Sequence, residues 1–392
     1  MRVLLLQAGF NEFGVIRALH KMGHYVISIG NQIGLPGQTM VDEYIPFDYS
    51  DKEGVLQFVK DHDIDRVLAC CNDTAVLTTC WVAEQMGWSG YDSYEAALTY
   101  SHKDKFKDFA MKYDVMTVKA DSFSNREEAL AWAAEDRDYP VIVKPVDLSG
   151  GKGVTRCDST EELKAAIDNA FDISRNGTIL IEPFIEGTQH GFCTFLHNKK
   201  VIACASNNEH SVVNPYRVEI DTFPANGFAE DRETLISQVE LMAEKLDLAD
   251  GIFHLQYIRS GGKIYILEVM RRIIGNMYSI PAQRSCGFDW DYWEAWTGIG
   301  QTYSGDYVDD KKERFVAYRA LIPHKDGIYD GITVSENLKK YIFHEEHFDK
   351  PGDTLEHHAA CTVGMLFMEF NSHEEMMDQM ISHYDEIEIH VK

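Results

Sequence analysis

Residues 141–153 read Val-Ile-Val-Lys-Pro-Val-Asp-Leu-Ser-Gly-Gly-Lys-Gly, and this stretch decides the interpretation of the whole chain. An apolar β-strand delivers Lys144 to a fixed point, and a loop containing Gly150, Gly151 and Gly153 follows it. Because glycine has no Cβ atom, the backbone N–H groups of such a loop can approach an anion closely. A lysine beside backbone donors is the chemistry that a polyphosphate needs. The same residues can also form a solvated glycine hairpin, so this stretch alone leaves two alternatives.

A second apolar strand follows at 179–187, where the sequence is Ile-Leu-Ile-Glu-Pro-Phe-Ile-Glu-Gly. The strand carries Glu182 near its end and continues through Phe184 and Ile185 to a turn at Gly187. A strand that ends in this way can present backbone donors and acceptors beside an apolar slot, which suits the edge of an adenine ring. The alternative is a strand that leaves a core and turns at the glycine.

A predicted hairpin spans 252–258 and 263–269, with its turn in Ser260-Gly261-Gly262. Gln256 and Glu268 lie on its two strands, and antiparallel pairing can bring both side chains to one face. Two oxygen ligands suit Mg²⁺, which keeps water and phosphate oxygens as its other ligands. Arg271 and Arg272 follow directly, and a metal ion with a guanidinium would neutralise the charge of a transferred phosphoryl group. A surface ion pair between Glu268 and an arginine is the alternative.

The first 95 residues alternate strands and helices, which predicts a doubly wound parallel sheet. Gly9 and Gly14 follow the first strand with GxxxxG spacing, which differs from the GxGxxG fingerprint of dinucleotide-binding folds. We therefore favour a tight strand-to-helix turn over a nucleotide cofactor at this place. A nucleotide-dependent oxidoreductase built on this sheet remains the alternative that the spacing argues against.

Composition excludes several classes of protein. The chain has 392 residues with 37 Lys and Arg against 63 Asp and Glu, a net charge of −26, and this balance argues against general binding of nucleic acid or of anionic membranes. Eight cysteines without a CxxC pair indicate reduced thiols. No apolar run approaches the ~18 residues of a membrane span, and the N-terminus is too short in apolar residues for a signal peptide. We expect a cytoplasmic protein.

The order of these motifs resembles the ATP-grasp superfamily, in its carbamoyl-phosphate-synthetase and biotin-carboxylase-like branch. The matching residues are Asp104-Lys105 before a helix, Lys144 before the glycine loop, Glu182-x-Phe-Ile-x-Gly, and Gln256 with Glu268-x-x-x-Arg272. The resemblance implies an α/β and α+β fold. It predicts a Rossmann-like pre-ATP-grasp domain at 1–98, an ATP-grasp domain at 99–312 with its lid at about 115–185, and a small C-terminal α+β domain at 313–392.

The resemblance also implies ligands and roles. ATP and Mg²⁺, for which Mn²⁺ can substitute, are the expected cofactors, with a small carboxylate and an amine as substrates, and a homodimer is allowed. Arg272, Arg271 and Lys144 are the implied catalytic residues, and Gln256 and Glu268 are the implied metal ligands. The implied nucleotide ligands are Lys105, Lys144, Gly150, Gly151, Gly153, Glu182, Phe184, Ile185 and Gln189.

Three departures from the family pattern affect the predicted function. Gln256 stands at the first metal position in place of glutamate, and the carbamoyl-phosphate branch that the chain resembles also has glutamine there. Gln189 stands where the family usually has an acidic ribose ligand, and a neutral amide still bonds a hydroxyl. Met270 stands where the family commonly has asparagine, and a thioether is a poor ligand for a hard cation. The sequence predicts an ADP-forming ligase that activates a carboxylate as an acyl phosphate for attack by an amine. A catalytically degenerate ATP-binding protein with a sensing or scaffold role is the alternative.

Overall fold

The computed structural model describes residues 1–135, 137–148, 151–309 and 312–392. Its contacts divide the chain into two compact units. Unit 1 comprises 1–93, 191–254 and 271–392, and unit 2 comprises 94–190 and 255–270. Within the described ranges, no helix combines the length and the apolar character that crossing a membrane requires.

The described residues form 19 strands and 12 α-helices, with short 3₁₀ and π turns between them. The strands are β1 Arg2–Leu6, β2 Tyr25–Gly30, β3 Glu43–Pro46, β4 Arg66–Ala69, β5 Asp121–Phe123, β6 Val141–Pro145, β7 Thr155–Cys157, β8 Ile179–Pro183, β9 Thr188–His197, β10 Lys200–His210, β11 Ile220–Phe223, β12 Gly251–Ser260, β13 Lys263–Met270, β14 Phe315–Leu321, β15 Gly327–Val334, β16 Ile342–His347, β17 Thr354–Leu355, β18 Gly364–Phe370 and β19 Ile387–Val391. The helices are α1 Phe13–Lys21, α2 Lys52–Asp61, α3 Asp73–Met86, α4 Tyr94–Ser101, α5 Lys103–Tyr113, α6 Arg126–Ala133, α7 Thr160–Ile173, α8 Phe228–Lys245, α9 Ser279–Cys286, α10 Trp290–Gly298, α11 Glu336–Lys339 and α12 His373–Met377.

The N-terminal part of unit 1 is the parallel sheet that the alternating pattern predicts. Its strand order is β3-β2-β1-β4, and Leu4 in the centre pairs with Ile27 of β2 and Val67 of β4. β1 is buried along nearly its whole length, as a strand covered on both faces must be. The edge strand β3 is absent from the prediction because its four residues, Glu-Tyr-Ile-Pro, carry too short an apolar pattern.

The eight-stranded sheet runs in the order β13-β12-β9-β10-β11-β14-β18-β16. Its strands β10, β11, β14, β18 and β16 belong to unit 1 and pair antiparallel. One face carries a core that includes Phe223, Tyr318 and Phe367, packed with residues of α9 and α10. The other face carries a core that includes Ala317, Leu321 and Leu366, packed with α12 and with a small sheet in the order β17-β15-β19. Trp290 of α10 is buried in the first of these two cores.

Unit 2 contains an antiparallel sheet in the order β5-β8-β6-β7, covered by α6 and α7. Val143, Ile167 and Ile181 lie in its core. The hairpin of β12 and β13 also lies in unit 2 from Leu255 to Met270. These two units differ in outline from the three consecutive domains that the resemblance implies, and that division stays a prediction. The parallel sheet and the antiparallel sheets, each covered by helices, confirm the predicted α/β and α+β class.

Candidate functional site

Two lysines of unit 2 contact one buried carboxylate, and a third lysine contacts a second carboxylate of the same unit. Lys144 of β6 and Lys107 of α5 both contact Glu182 of β8: Lys144 Nζ donates to Oε1, and Lys107 Nζ lies 3.0 Å from Oε2. The third, Lys103 at the start of α5, donates to the Leu148 carbonyl at 2.8 Å and lies 3.3 Å from Glu268 Oε2. All five charged side chains belong to unit 2, and we call them the lysine cluster.

The lysine cluster has a local excess of positive charge. Three ammonium groups, of Lys103, Lys107 and Lys144, face two carboxylates, so the set carries one net positive charge within a chain of net charge −26. Burial alone would raise the pKa of the Glu182 carboxyl, but the charges of Lys144 and Lys107 outweigh it and hold the pKa below its ordinary value. Burial lowers the pKa of Lys107 to about 8, although Glu182 opposes the shift. The cluster is suited to an anion.

Glu182 therefore differs from the role that the resemblance implies. Its carboxylate, 4 % exposed, is enclosed by two lysines, so it holds those lysines in place and does not offer an open edge to a base. The neighbouring Phe184 N–H already donates to the Pro140 carbonyl at 3.0 Å. Ile185 and Gln189 are partly exposed, and Gln189 has an interaction of its own within the protein. The adenine and ribose contacts at Phe184, Ile185 and Gln189 stay predictions.

The glycine loop is described only in part. Gly150 lies outside the described residues, whereas Gly151 and Gly153 adopt φ angles of 72° and 73°. These are left-handed conformations that glycine adopts without steric cost. A Cβ atom at Gly153 would also lie 2.3 Å from Cδ1 of Ile173 and 3.0 Å from the Pro145 ring. The backbone angle of Gly153 favours glycine, and a larger residue there would also have to displace the Ile173 side chain.

The predicted metal ligands both lie in the hairpin of unit 2. Gly261 and Gly262 form its turn, with φ of 55° and 76°. Gln256 and Glu268 are partly exposed on the two strands. They supply an amide and a carboxylate oxygen, and no group of three His, Cys, Asp or Glu side chains that could hold a metal ion occurs among the described residues. Such a set fits Mg²⁺, which takes one or two protein oxygens and completes its shell with phosphate and water.

Arg271 is buried and paired within unit 1. Its guanidinium forms a bidentate pair with Asp92, at 2.9 and 3.0 Å, and also donates to the Ile252 and Ala249 carbonyls at 2.6 and 2.8 Å. Both members of the pair are 5 % exposed. This geometry uses the donors of the guanidinium within the fold. The catalytic role of Arg271 that the resemblance implies stays a prediction.

Arg272, also in unit 1, lies against the start of α3. Its Nε donates to Asp73 Oδ1 at 2.5 Å, and its Nη1 donates to the Ile273 carbonyl at 3.1 Å and contacts Cys71 Sγ at 3.4 Å. Burial raises the pKa of the Cys71 thiol to about 12, although Arg272 opposes the shift. Cys71 is therefore a thiol and not a thiolate nucleophile. Arg272 stays a predicted phosphate ligand.

The loop after β1 does not offer a phosphate site. The carboxylate of Glu12 accepts hydrogen bonds from the Gly9 N–H at 2.7 Å and the Cys71 N–H at 2.8 Å. A pyrophosphate at this position would need the same backbone donors. The tight-turn interpretation of Gly9 and Gly14 is thus supported, because a side chain of the protein fills the place of the anion.

Lys105, the lysine of α5 that the resemblance implies as a nucleotide ligand, lies outside the lysine cluster. Lys105 lies on the exposed face of the helix, whereas Lys103 and Lys107 lie four residues apart on its inner face. The buried Phe106, Phe109 and Ala110 mark the inner face. Extending the helix back by one turn from Phe106 would have revealed that periodicity. The predicted contact of Lys105 with ATP itself remains untested.

Comparison with known proteins places these residues in a family. The model of the family described as "Carbamoyl-phosphate synthase L chain, ATP binding domain" matches residues 102–303, which is just over half of the chain. A phosphoribosylamine–glycine ligase of Fusobacterium nucleatum subsp. nucleatum is 26% identical over 196 residues, which is 46% of this chain and 46% of the relative. The chain spans about half the length of the curated relatives that it matches.

Two solved structures resemble the whole chain. A phosphoribosylglycinamide synthetase from Anaerococcus prevotii matches with a TM-score of 0.77 and 22% identity, over 100% of this chain and 99% of that one. An L-amino acid ligase from Bacillus licheniformis matches with a TM-score of 0.83 and 18% identity, over 100% and 98%. At these identities the likeness is one of fold.

Proposed function

The chain belongs to the family of the carbamoyl-phosphate synthase L chain ATP-binding domain, and from that premise we propose that it is an ADP-forming ligase. In the proposed reaction a carboxylate oxygen attacks the γ-phosphorus of ATP and ADP leaves, which gives an acyl phosphate. An amine then attacks the acyl carbon, inorganic phosphate leaves with the electron pair of the C–O bond, and the amine nitrogen loses a proton. The product is an amide.

The lysine cluster is the observation that carries the proposal. Lys103, Lys107 and Lys144 would bind the phosphates of ATP, and Glu182 would keep Lys107 and Lys144 apart and oriented. Preorganised charges of this kind act without reorganising during the reaction, which is where electrostatic catalysis gains its effect. Lys103 also links the Leu148 carbonyl, just before the glycine loop, to Glu268. The phosphates of ATP would thus bind beside Lys103, which already contacts both the start of the glycine loop and Glu268.

Gln256 and Glu268 would hold Mg²⁺, which when bound neutralises charge on the phosphates. Arg272 follows Glu268 by four residues along the chain, and its guanidinium would contact the anionic acyl phosphate. Met270 offers a thioether where an oxygen would be the better ligand, so we propose one protein-held metal ion and not two. The proposed substrates are a small carboxylate and an amine.

Nucleotide release tests the proposal directly. The pure protein is incubated with Mg-ATP and pooled small carboxylates and amines, and ADP is resolved from AMP. We expect ADP formation that depends on one pool, and a loss of about 100-fold in Lys144→Ala and Glu268→Ala. Lys105→Ala serves as the matched control, because it removes an exposed lysine from the same unit.

Each other outcome has a definite meaning. Formation of AMP would replace the acyl phosphate with an acyl adenylate and overturn the mechanism. Binding of ATP without any ADP formation would favour the non-catalytic alternative, in which the chain senses ATP or acts as a scaffold. Near-normal turnover in folded Lys144→Ala would remove the lysine cluster from the active site.

A further inference from the structure

Glu268, the predicted carboxylate ligand of the metal ion, already has a cation as its neighbour. Lys103 Nζ lies 3.3 Å from Glu268 Oε2. The side chain of Lys103 is 14 % exposed and that of Glu268 is 31 % exposed, so the pair is partly shielded from water. Such a pair is screened less by salt than one on an open surface. The ammonium group therefore lies where it opposes a second cation at the same carboxylate.

Two further contacts hold Lys103 in this place. Its ammonium group donates to the Leu148 carbonyl at 2.8 Å, and its backbone N–H donates to the Val146 carbonyl at 3.3 Å. Both carbonyls lie between β6 and the glycine loop. Lys103 thus joins this stretch of unit 2 to the hairpin strand that carries Glu268, and its ammonium group has one neutral and one anionic acceptor.

The charge around the predicted metal ligands is balanced within the protein itself. Gln256 is neutral, and the positive charge of Lys103 offsets the negative charge of Glu268. No group of three His, Cys, Asp or Glu side chains that could hold a metal ion is found in the part of the chain that the structure describes. A divalent cation alone would thus meet one carboxylate and the repulsion of the adjacent ammonium group.

The phosphates of ATP would reverse this balance. They bring negative charge to the lysine cluster, and they offer Lys103 an anionic acceptor in place of Glu268. The carboxylate then becomes available to a cation, and Mg²⁺ gains phosphate oxygens as additional ligands. The Leu148 carbonyl can keep its hydrogen bond throughout, because an ammonium group has more than one N–H donor.

We propose that Lys103 excludes a divalent metal ion from Glu268 until ATP binds. Lys103 acts on the metal ion through Glu268 and makes the binding of metal and nucleotide mutually favourable. Coupling of this kind is reciprocal, so a metal ion that binds more tightly after ATP also makes ATP bind more tightly. This inference rests on the proposed function, to which it adds that the metal ion binds with or after the nucleotide and not before it.

Binding of Mn²⁺ tests the inference without requiring turnover. Free Mn²⁺ is measured by electron paramagnetic resonance in titrations of the protein, with and without one equivalent of a non-hydrolysable ATP analogue. Without nucleotide, we expect Lys103→Met to bind Mn²⁺ about tenfold more tightly than the wild type, because a repelling charge is removed. Lys103→Gln should do the same, because it also lacks the charge, and its amide can still donate to the Leu148 carbonyl.

Three further variants serve as controls. Lys103→Arg keeps the positive charge and should keep the weak Mn²⁺ binding of the wild type. Lys164→Met removes an exposed lysine of α7 in the same unit and should also leave Mn²⁺ binding unchanged. A chain with 63 Asp and Glu residues can hold Mn²⁺ elsewhere on its surface, so the tighter binding must disappear when Glu268→Gln is combined with Lys103→Met.

The two ligands should respond in opposite directions. Lys103→Met should tighten the binding of Mn²⁺ alone and weaken the binding of the nucleotide, because the same charge repels a metal ion and attracts phosphate. The ratio of the Mn²⁺ Kd values without and with the analogue should therefore fall about tenfold. A residue that only supports the fold would weaken the binding of both ligands when it is replaced.

The outcomes distinguish this inference from the proposed function. Equal Mn²⁺ affinity of the wild type and Lys103→Met, or weaker binding by Lys103→Met, overturns the inference. Tighter binding by Lys103→Met that depends on Glu268, in a protein whose wild type forms no ADP, keeps the inference and removes the ligase. ADP formation by the wild type, together with unchanged Mn²⁺ affinity in Lys103→Met, keeps the ligase and removes the inference.

Discussion

The helical periodicity of α5 determines which of its lysines belong to the lysine cluster. Lys103 and Lys107 are four residues apart and therefore share one face of the helix. Lys103 contacts Glu268 and Lys107 contacts Glu182, whereas Lys105 between them is exposed. Lysine occurs at every second position from 103 to 107, and this spacing alone does not show which of the three lysines face the interior. The buried Phe106 and Phe109 supply the phase of the helix, and with it the assignment of the lysines.

This phase makes a prediction for nucleotide binding. Lys103→Met should weaken Mg-ATP binding about tenfold or more, because one charge-assisted contact to phosphate is lost. Lys105→Met should stay within twofold of the wild type, since its side chain lies on the exposed face. Titration calorimetry of both variants measures the difference. An equal loss in Lys105→Met would restore the contact that the resemblance implies.

Lys107 predicts a pH dependence of ATP affinity. Its pKa of about 8 means that the ammonium group loses its proton as the pH rises above 8 in the unliganded protein. Bound phosphates favour the charged form, so binding takes up a proton and affinity falls as the pH rises, by up to tenfold per pH unit. The Kd for Mg-ATP between pH 7 and 9.5 measures this slope. Lys107→Gln should bind more weakly and show a flatter profile, and a wild-type profile that is itself flat would contradict the assignment.

At the scale of elements, the pairing of strands brings together residues that the sequence separates. β6 and β8 pair antiparallel with Ile142 opposite Glu182, which brings Lys144 and Glu182 into contact although they are 38 residues apart. The sequence predicts both strands but not their register, because that depends on contacts across the sheet. The same limit explains why Glu182 is predicted as an open nucleotide ligand and is found enclosed by lysines.

Helix α10 carries a buried acidic side chain, Glu294, and a partly buried one, Asp291. Asp291 and Glu294 are three residues apart, and burial raises their pKa values to about 6 and about 7. An acid whose pKa is raised by folding binds more protons in the folded state, so stability is greatest at low pH and is lost as the pH rises through the folded pKa. The window that these two groups define runs from about pH 4 to about pH 7.

We therefore predict that Glu294→Gln removes part of this loss. The variant should match the wild type near pH 5 and exceed its free energy of unfolding at pH 8 by up to roughly 3 kcal/mol, from a pKa raised from 4.5 to about 7. Denaturant unfolding at several pH values measures the difference, with the exposed Glu233→Gln as control. A variant that is less stable than the wild type at pH 8 would show that the carboxylate is needed as an acceptor.

At the scale of the whole molecule, the order of motifs carries more information than any one of them. The glycine loop, the Glu182 strand and the hairpin each have a bland alternative, yet their sequence along the chain predicts the family that the comparison confirms. The order of motifs does not predict which contacts each side chain makes. Two adjacent arginines have different partners: Arg271 pairs with Asp92 and two carbonyls, whereas Arg272 pairs with Asp73 and the Ile273 carbonyl.

Two regions of the chain are candidates for nucleotide binding, the N-terminal parallel sheet and the lysine cluster. The parallel sheet at the N-terminus has the topology of a dinucleotide fold, but Glu12 already occupies the backbone donors of its first loop. The lysine cluster of unit 2 has charges in excess and a glycine loop beside them. We therefore predict that Mg-ATP slows amide hydrogen exchange chiefly at 103–107, 141–157 and 256–268. NAD⁺ should change no exchange at 7–14, whereas protection there by either nucleotide would return the site to the N-terminal sheet and contradict the lysine cluster as the place of binding.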